Sequence, residues 1–504
     1  NRQFQRKKHA KIVILPSKVH SMKRNIFILI STAILFLAAA CKKENPISDD
    51  PSLKLAFSTD TLLFDTVFTS LGSTTHTLMI YNHHNEGLNI SSIRLVKGES
   101  SSFRLNVDGV AGTEIYDKTI PANDSLFSFL RVTINPNDLN TPFVVEDELE
   151  FVTNGNTQTV KLMAWGQNAN YIVGDQRVSS IPNAFKIVAD SLETTIWNSE
   201  RPYVIYGYAL INSYGTLRIE PGTHIYVHGN GGIFSWSEGQ LIIEGTAENP
   251  VIIEGDRLEA DYKDVPGQWD QIYLMECREN ADHIINHAII RNSFIGINCQ
   301  SVLKATQSAL RVSNTIIENQ SGCGFYSMYF AAEMKNFVIA NSGVNAMQIH
   351  GGDYRFVHGS ITNYCTFAAN NYVALSVDNY VNNYATNEVY VYPLSNCEFN
   401  NCIVYGKNEN EISTSFYPDA DTIYSFDHCL LKSKRFVDYP AFNRCIFNRE
   451  PCFANENRND FHLDSLSSAA IGMGNPIYSH EVPFDFDGIS RVGMPDIGAF
   501  QYNK

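Results

Sequence analysis

The sequence predicts an all-β chain, a β-sandwich followed by a right-handed parallel β-helix. Two observations predict it. Short strand-like segments bounded by turn residues follow one another with no sustained 3.6-residue period. From about residue 280 onward, segments of apolar residues ending in Asn return with a step near 22, the length of one coil of three short strands and their turns. Across the 504 residues, 44% apolar and 12% aromatic side chains are enough for a dry core.

The N-terminal 40 residues carry eight basic side chains and no acid, which leaves 30 basic against 53 acidic residues from Cys41 onward. A body this acidic disfavours nucleic acid as a partner, and none is expected. The export pattern begins at Met22, so residues 1–21 are read as upstream sequence outside the fold. Lys23-Arg24, the apolar run Ile26 to Leu37 and Ala38-Ala39-Ala40-Cys41 follow, a run too short to span a membrane comfortably. This segment resembles a bacterial lipoprotein signal, and the resemblance implies acylation of the Cys41 thiol and a membrane anchor. The alternative is a cleaved secretory peptide with an incidental Cys. Residues 41–52, with Pro46, Asp49, Asp50 and Pro51, read as a tether. Lys42-Lys43-Glu44 is similar to the surface-export signals of Bacteroidota lipoproteins, which implies an outer-membrane protein at the cell surface.

Residues 53–168 are expected to form the sandwich, with strands such as Thr77–Tyr81, Phe103–Val107 and Thr159–Leu162. Phe57, Asp65-Thr66-Val67-Phe68, Gly72-Ser73, Asn82, Asn106-Val107-Asp108-Gly109 and Asn154-Gly155-Asn156 resemble the immunoglobulin-like N-terminal module of uncharacterised Bacteroidota lipoproteins. The domain contains no nucleophile with a base, no metal spacing and no phosphate loop, so it reads as a spacer or docking module.

Residues 169–504 are expected to form the β-helix. Ile289-Ile290-Arg291-Asn292, Ile316-Ile317-Glu318-Asn319, Val338-Ile339-Ala340-Asn341 and Ser360-Ile361-Thr362-Asn363 repeat with Asn-to-Asn steps of 27, 22 and 22. Ile290, Ile317, Ile339 and Ile361 should stack inward, and Arg291, Glu318, Ala340 and Thr362 should form an outward row. Each Asn should occupy a bend, where its tolerance of left-handed backbone helps. Stacked amides of this kind resemble the asparagine ladder of pectate-lyase-like β-helices. Cys277, Cys299 and Cys323 are separated by 22 and 24, with Cys365 42 further on, so they are expected as neighbours in the interior. Cys397/Cys402 and Cys445/Cys452 are the candidate disulfides, and the absence of any Cys-x-x-Cys leaves zinc little support.

Leu217 to Thr223, Gly239-Gln240-Leu241, Gly245 to Ile252 and Gln268 to Ile272 resemble the opening coils of bacterial parallel β-helix proteins. Phe399-Asn400-Asn401-Cys402, Phe426-Asp427-His428-Cys429 and Phe442-Asn443-Arg444-Cys445 extend the coils at steps of 27 and 16. Asp485 to Arg491 and Pro495 to Phe500 resemble the terminal signature of secreted β-helices, which implies a segment closing the last coil. The competing reading of Asp485, Asp487 and Asp496 is a calcium loop, although Ile489 and Ser490 stand where such a loop wants an oxygen ligand and Gly. No other cofactor is expected.

Polysaccharide hydrolysis needs paired carboxylates, and from residue 169 onward no two acids adjoin in sequence. His350, Asp353 and His358 flank Gly351-Gly352 and could supply a base, an orienting carboxylate or metal ligands, against the plainer reading of a satisfied turn network. Asp256, Glu259, Asp261 and Asp264 could gather a cation but read as a charged surface loop. Tyr354, Tyr364, Tyr372, Tyr380, Tyr384, Tyr390 and Tyr392 lie among Asn363, Asn370, Asn371, Asn379, Asn382 and Asn383. Phenol faces with amides suit sugar rings or a protein partner. The function expected is a lipid-anchored envelope protein whose β-helix binds a glycan or partner protein without catalysis. The alternatives are a polysaccharide lyase or glycoside hydrolase in the β-helix groove, and a structural subunit of an outer-membrane complex.

Overall fold

A computed structural model describes residues 46–69, 72–136, 140, 142–301, 310–367, 372–383, 386–435 and 440–503. Cys41 and the apolar run before it, Lys42-Lys43-Glu44, Asn370, Asn371 and Tyr384 lie outside the described residues. The chain divides into two compact units, Asn1–Leu63 with Thr74–Val132 and Glu146–Met163, and Phe64–Ser73 with Thr133–Val145 and Ala164–Lys504. The class is all-β, as expected. Among the described residues no helix is long and apolar enough to cross a membrane.

The sandwich consists of two sheets. One orders Ile47–Ser48, Gly87–Leu95, Phe143–Thr153, Asn156–Gln167 and Thr61–Phe68, with Glu114–Ile120 also pairing Gly87–Leu95. The other orders Ala56–Phe57, His76–Asn82, Asp124–Val132, Phe103–Val107 and Val110–Gly112. Alternation buries Phe103, Leu105 and Val107 and exposes Arg104. Phe57 meets Phe151 across the sheets with ring centroids 4.8 Å apart. Asn154-Gly155 turns its hairpin with φ of 51° and 76°, the geometry that makes Asn-Gly the favoured pair there.

The second unit is a parallel solenoid, with 23 strands among the described residues. It starts with Asn170–Val173, paired in parallel with Tyr203–Ile211. In the middle coils, Phe325–Ala340 and Met347–Asn363 each run through three sides, bent at left-handed corners such as Asn336 and His358. Ile290, Ile317, Ile339, Ile361 and Val404 stand in register, coil on coil, and all are fully buried. Burial of each Ile stabilises by roughly 1.5–3 kcal/mol. Phe356, Phe399, Phe426 and Phe442 stack at 4.7, 4.5 and 4.7 Å, so the irregular steps late in the chain still belong to coils.

Three expectations about the coils are corrected. Cys299 pairs in register with Leu274 and Ser327, steps of 25 and 28, so Cys277 and Cys323 miss its column because coil length varies from side to side. All nine described cysteines are free, including Cys397, Cys402, Cys445 and Cys452. Of the asparagine ladder, Asn319 donates to Asn292 at 2.5 Å, but Asn341 turns to Glu456 and Asn459, and Asn363 bonds Val344.

A different column links the coils. Asn314, Asn336, His358, Asn401, His428 and Arg444 occupy equivalent corners with φ between 47° and 53°. Asn314 donates to Asn286 at 2.9 Å and Asn336 to Asn314 at 2.7 Å. Further along, the column holds the C-terminal segment. Arg491, 1% exposed, donates to Asn336 at 2.8 Å and to the carbonyls of Phe484 and Ala499 at 2.6 Å each. His358 Nδ1 meets the Gly498 carbonyl at 3.2 Å, and Asn401 accepts from the Asn475 amide at 2.7 Å.

The segment therefore lies against the side of the coils, and the expectation that it closes the last one is corrected. Phe453, Phe461, Leu463, Ile497 and Ala499 cover the outward residues Val338, Ala340, Ile403, Tyr405 and Leu430. The expected outward row is half-buried at Arg291 and Glu318 and fully buried at Ala340 and Thr362. The acids of the supposed calcium loop brace this segment. Asp485 accepts from the amides of Asp487, Ile489 and Gln501, and Asp496 from those of Gly472 and Tyr502.

Candidate functional site

One side of the coils is built by Trp269–Leu274, Ser293–Gln300, the first residues of Phe325–Ala340 and Met347–Asn363, then Leu375–Asp378 and Ile412–Ser415. Strand alternation sends Ile297 and Cys299, Phe325 and Ser327, Met347 and Ile349, and Leu375 and Val377 into the core. The residues between them therefore face out. Tyr273, Asn298, Tyr326, Gln348, Ser376 and Ser413 form one column, and Gln300, Met328, His350, Asp378 and Ser415 the next. The only formal charge in these columns is Asp378, and it is bonded to His350.

Side-chain bonds fix this flank. His350 donates from Nδ1 to Asp378, which leaves Nε2 to accept the Gln348 amide at 3.1 Å. The Cys323 thiol lies 3.5 Å from the Gln348 oxygen. Asn298 donates to Gln271 at 2.8 Å and Gln300 to Asn298 at 3.1 Å. The Tyr326 ring lies 5.2 Å from the His350 ring, and Tyr329 and Tyr392 pair at 5.4 Å nearby. Burial pushes the phenols of Tyr273 and Tyr326 up to about 12, so both remain neutral at physiological pH. Nε2 of His350 is occupied by the Gln348 amide. The dyad orients Gln348, and the flank presents uncharged donors, acceptors and ring faces in fixed positions.

A second cleft, of about 570 Å³, lies among Lys263, Asp264, Arg291, Glu318, Asn341 and Arg458. Arg291 pairs with Glu254 at 2.7 Å, and Glu254 also takes His224 at 2.7 Å. Burial pushes the Glu318 carboxyl up, opposed by the Arg291 guanidinium and the Asn459 amide. Among the described residues no group of three or more His, Cys, Asp or Glu could hold a metal ion.

No family model matches the chain, and no curated protein matches it. Among solved structures, the chain is similar to the catalytic unit of a GH87 α-1,3-glucanase from Streptomyces thermodiastaticus, at 11% identity over 74% of this chain and 75% of that one, with a TM-score of 0.31. A protein of unknown function from Porphyromonas gingivalis matches 25% of this chain at 11% identity and a TM-score of 0.17, and the chain spans 50% of its length. The Escherichia coli chaperone DraB matches 23% of this chain and 55% of its own, at 8% identity and a TM-score of 0.17.

The residues singled out from sequence fall in different places. His350 belongs to the flank, but its carboxylate partner is Asp378, one coil later. Asp353 is exposed and lies in register with Ala331 and Asn396. His358 is fully buried in the docking column, and burial together with the Arg491 charge holds its pKa well below the usual range. Tyr354 is also fully buried, with its hydroxyl 2.8 Å from Ser327, which removes it from any ligand surface. Tyr364 packs with Phe453 and Phe461 beneath the C-terminal segment. Tyr372 is 38% exposed, and Tyr380 bonds Ser415 at 2.9 Å at the end of the flank. Asp256 and Glu259 are taken by His228 and Arg257, so the acids of that loop do not converge. Sequence reading missed Tyr273, Asn298, Tyr326 and Gln348. Their steps of 25, 28 and 22 were a usable signal only once the strand register was known.

Proposed function

We propose that this protein is an outer-membrane lipoprotein, anchored through acylated Cys41 and displayed at the cell surface, whose β-helix binds a neutral glycan without cleaving it. The observation that carries this reading is the column Tyr273, Asn298, Tyr326, Gln348 and Ser376, uncharged and one residue per coil, of which all but the buried Asn298 are partly exposed. A polymer with a repeating pattern of ring faces and hydroxyls matches such a surface at several points along its length. Phenol faces supply apolar contact, and the oriented amides supply the directional bonds.

The test is a panel of neutral and acidic polysaccharides, with binding and new reducing ends both measured. The reading expects retention of a neutral polymer with no new ends, and retention about tenfold weaker in Tyr326→Ala. Binding that survives Tyr326→Ala and Gln348→Ala together overturns it. Cys41→Ser should abolish the acyl mass increment and release the protein from membranes.

A second reading is favoured by the cleft at Glu318. A carboxyl that burial shifts upward, beside Asp264 and Arg291, has the character of a general acid for glycosidic cleavage. New reducing ends or unsaturated products, lost in Glu318→Gln, would establish hydrolysis or elimination there.

A further inference from the structure

On the outer face of the five-stranded sheet of the sandwich, Arg104 and Arg131 lie directly opposite each other on neighbouring antiparallel strands, and both are exposed. Side chains so placed have Cβ atoms about 4.5–5.5 Å apart, and like charges there repel. The ion pairs described in this unit are Arg94 with Glu150 and Lys118 with Asp108. Among the described residues no carboxylate pairs with Arg104 or Arg131. Arg104 is held by one nitrogen only, Nη1, which donates to the Ser101 and Phe103 carbonyls at 2.6 and 2.8 Å. Two neighbouring cations thus stand without a counter-charge on a chain whose net charge is −15.

The same face carries Phe127 and Phe129, 51% and 41% exposed, with rings 13° from parallel and centroids 6.3 Å apart. Phe129, Asn106 and both arginines line one cleft of about 720 Å³. Glu99 also lines this cleft, pairs with neither arginine, and accepts from the Thr113 hydroxyl at 2.9 Å.

We propose that this face is a binding site for an acidic saccharide, its carboxylate seated between Arg104 and Arg131 and a sugar ring stacked on Phe129. A planar carboxylate between two guanidinium groups turns a repulsive pair into charge-assisted bonds. The adjacent ring supplies the apolar contact that a bare anion does not use. The site is separate from the neutral flank of the β-helix and takes a ligand of opposite character.

The test uses the full-length purified protein and oligogalacturonate, with monomeric galacturonate, a neutral glucan oligosaccharide and inorganic phosphate in parallel arms. Oligogalacturonate should bind, weakening as salt rises, and Arg131→Ala should weaken it at least tenfold. Phe129→Ala should weaken it severalfold, and phosphate and the neutral glucan should be indifferent to Arg131→Ala. Arg131→Glu supplies an independent readout. It places an acid opposite Arg104, so thermal stability should rise while oligogalacturonate binding is lost. Unchanged oligogalacturonate binding in Arg131→Glu, phosphate binding as tight as the oligosaccharide, or a concentration-dependent dimer abolished by Phe127→Ser each overturns the proposal.

Discussion

Two sides of the same coils have opposite surfaces. On one, Val338, Ala340, Ile403 and Leu430 project outward as apolar or small residues and lie beneath Phe453, Phe461, Ile497 and Ala499. On the other, Tyr273, Tyr326, Gln348 and Ser376 project outward and remain partly exposed. The covered side is a second core, held on by one buried guanidinium and a column of corner amides. The open side spends its polar groups on bonding one another sideways, from Asp378 to Gln348 and from Gln300 to Gln271. A solenoid strand leaves the chemistry of its outward residues free, so one set of coils carries both a covered apolar side and an open polar one.

The largest effect should come from Arg491→Met, which removes the donors to Asn336, Phe484 and Ala499. Leaving these buried acceptors unpaired should cost on the order of 3–5 kcal/mol. Denaturant unfolding measures it, and limited proteolysis should cut first within residues 465–503. Flank binding should be unchanged, and if it is lost the two sides are not independent.

The seam between the sides contains Glu411, fully buried, which accepts from the Ala374 and Asn408 amides. Burial pushes its carboxyl up to about 7. The folded state therefore holds a proton that the unfolded chain releases near pH 4.5. Stability from this group is greatest below pH 4.5, falls as pH rises to about 7, and is level above that, a change on the order of 3 kcal/mol. Glu411→Gln should flatten that slope in melts taken from pH 4.5 to 7.5.

His358→Ala and His350→Ala divide the two sides most cleanly. His358 meets Gly498, Ser479 and Asn401, so its loss should cost roughly 2 kcal/mol and leave glycan binding alone. Its depressed pKa gives the opposite pH sign to Glu411, with stability present above 6.5 and lost as pH falls below it. His350→Ala should change stability less and release Gln348 for weaker binding. The smallest effect is Tyr326→Ala, with about tenfold weaker glycan binding, near 1.4 kcal/mol.

Much of this contrast was readable from the chain. The Ile290 to Ile361 column and the Phe399, Phe426 and Phe442 stack follow from spacing, because an inward position tolerates few residue types. The cysteine column failed because a step of 22 or 24 does not match coils of 25 and 28 on that side. The docking column Asn336, His358 and Asn401 hides among steps of 22 and 43 and mixes residue types that share only a left-handed corner. Asp378 could not be matched to His350 without register, since Asp353 is nearer in sequence and faces elsewhere. Asp108-Gly109 and Asn154-Gly155 entered the sequence reading only through the family resemblance, and the structure shows that each turns a hairpin. The cross-strand meeting of Arg104 and Arg131, 27 residues apart in sequence, was not legible from the chain.

Hydrogen–deuterium exchange with a bound neutral glucan oligosaccharide addresses the open side directly. The account predicts added protection in peptides covering Ser293–Gln300 and the starts of Phe325–Ala340 and Met347–Asn363, with none in residues 453–463. Protection concentrated at residues 263–264 and 455–459, with the flank unchanged, would contradict it.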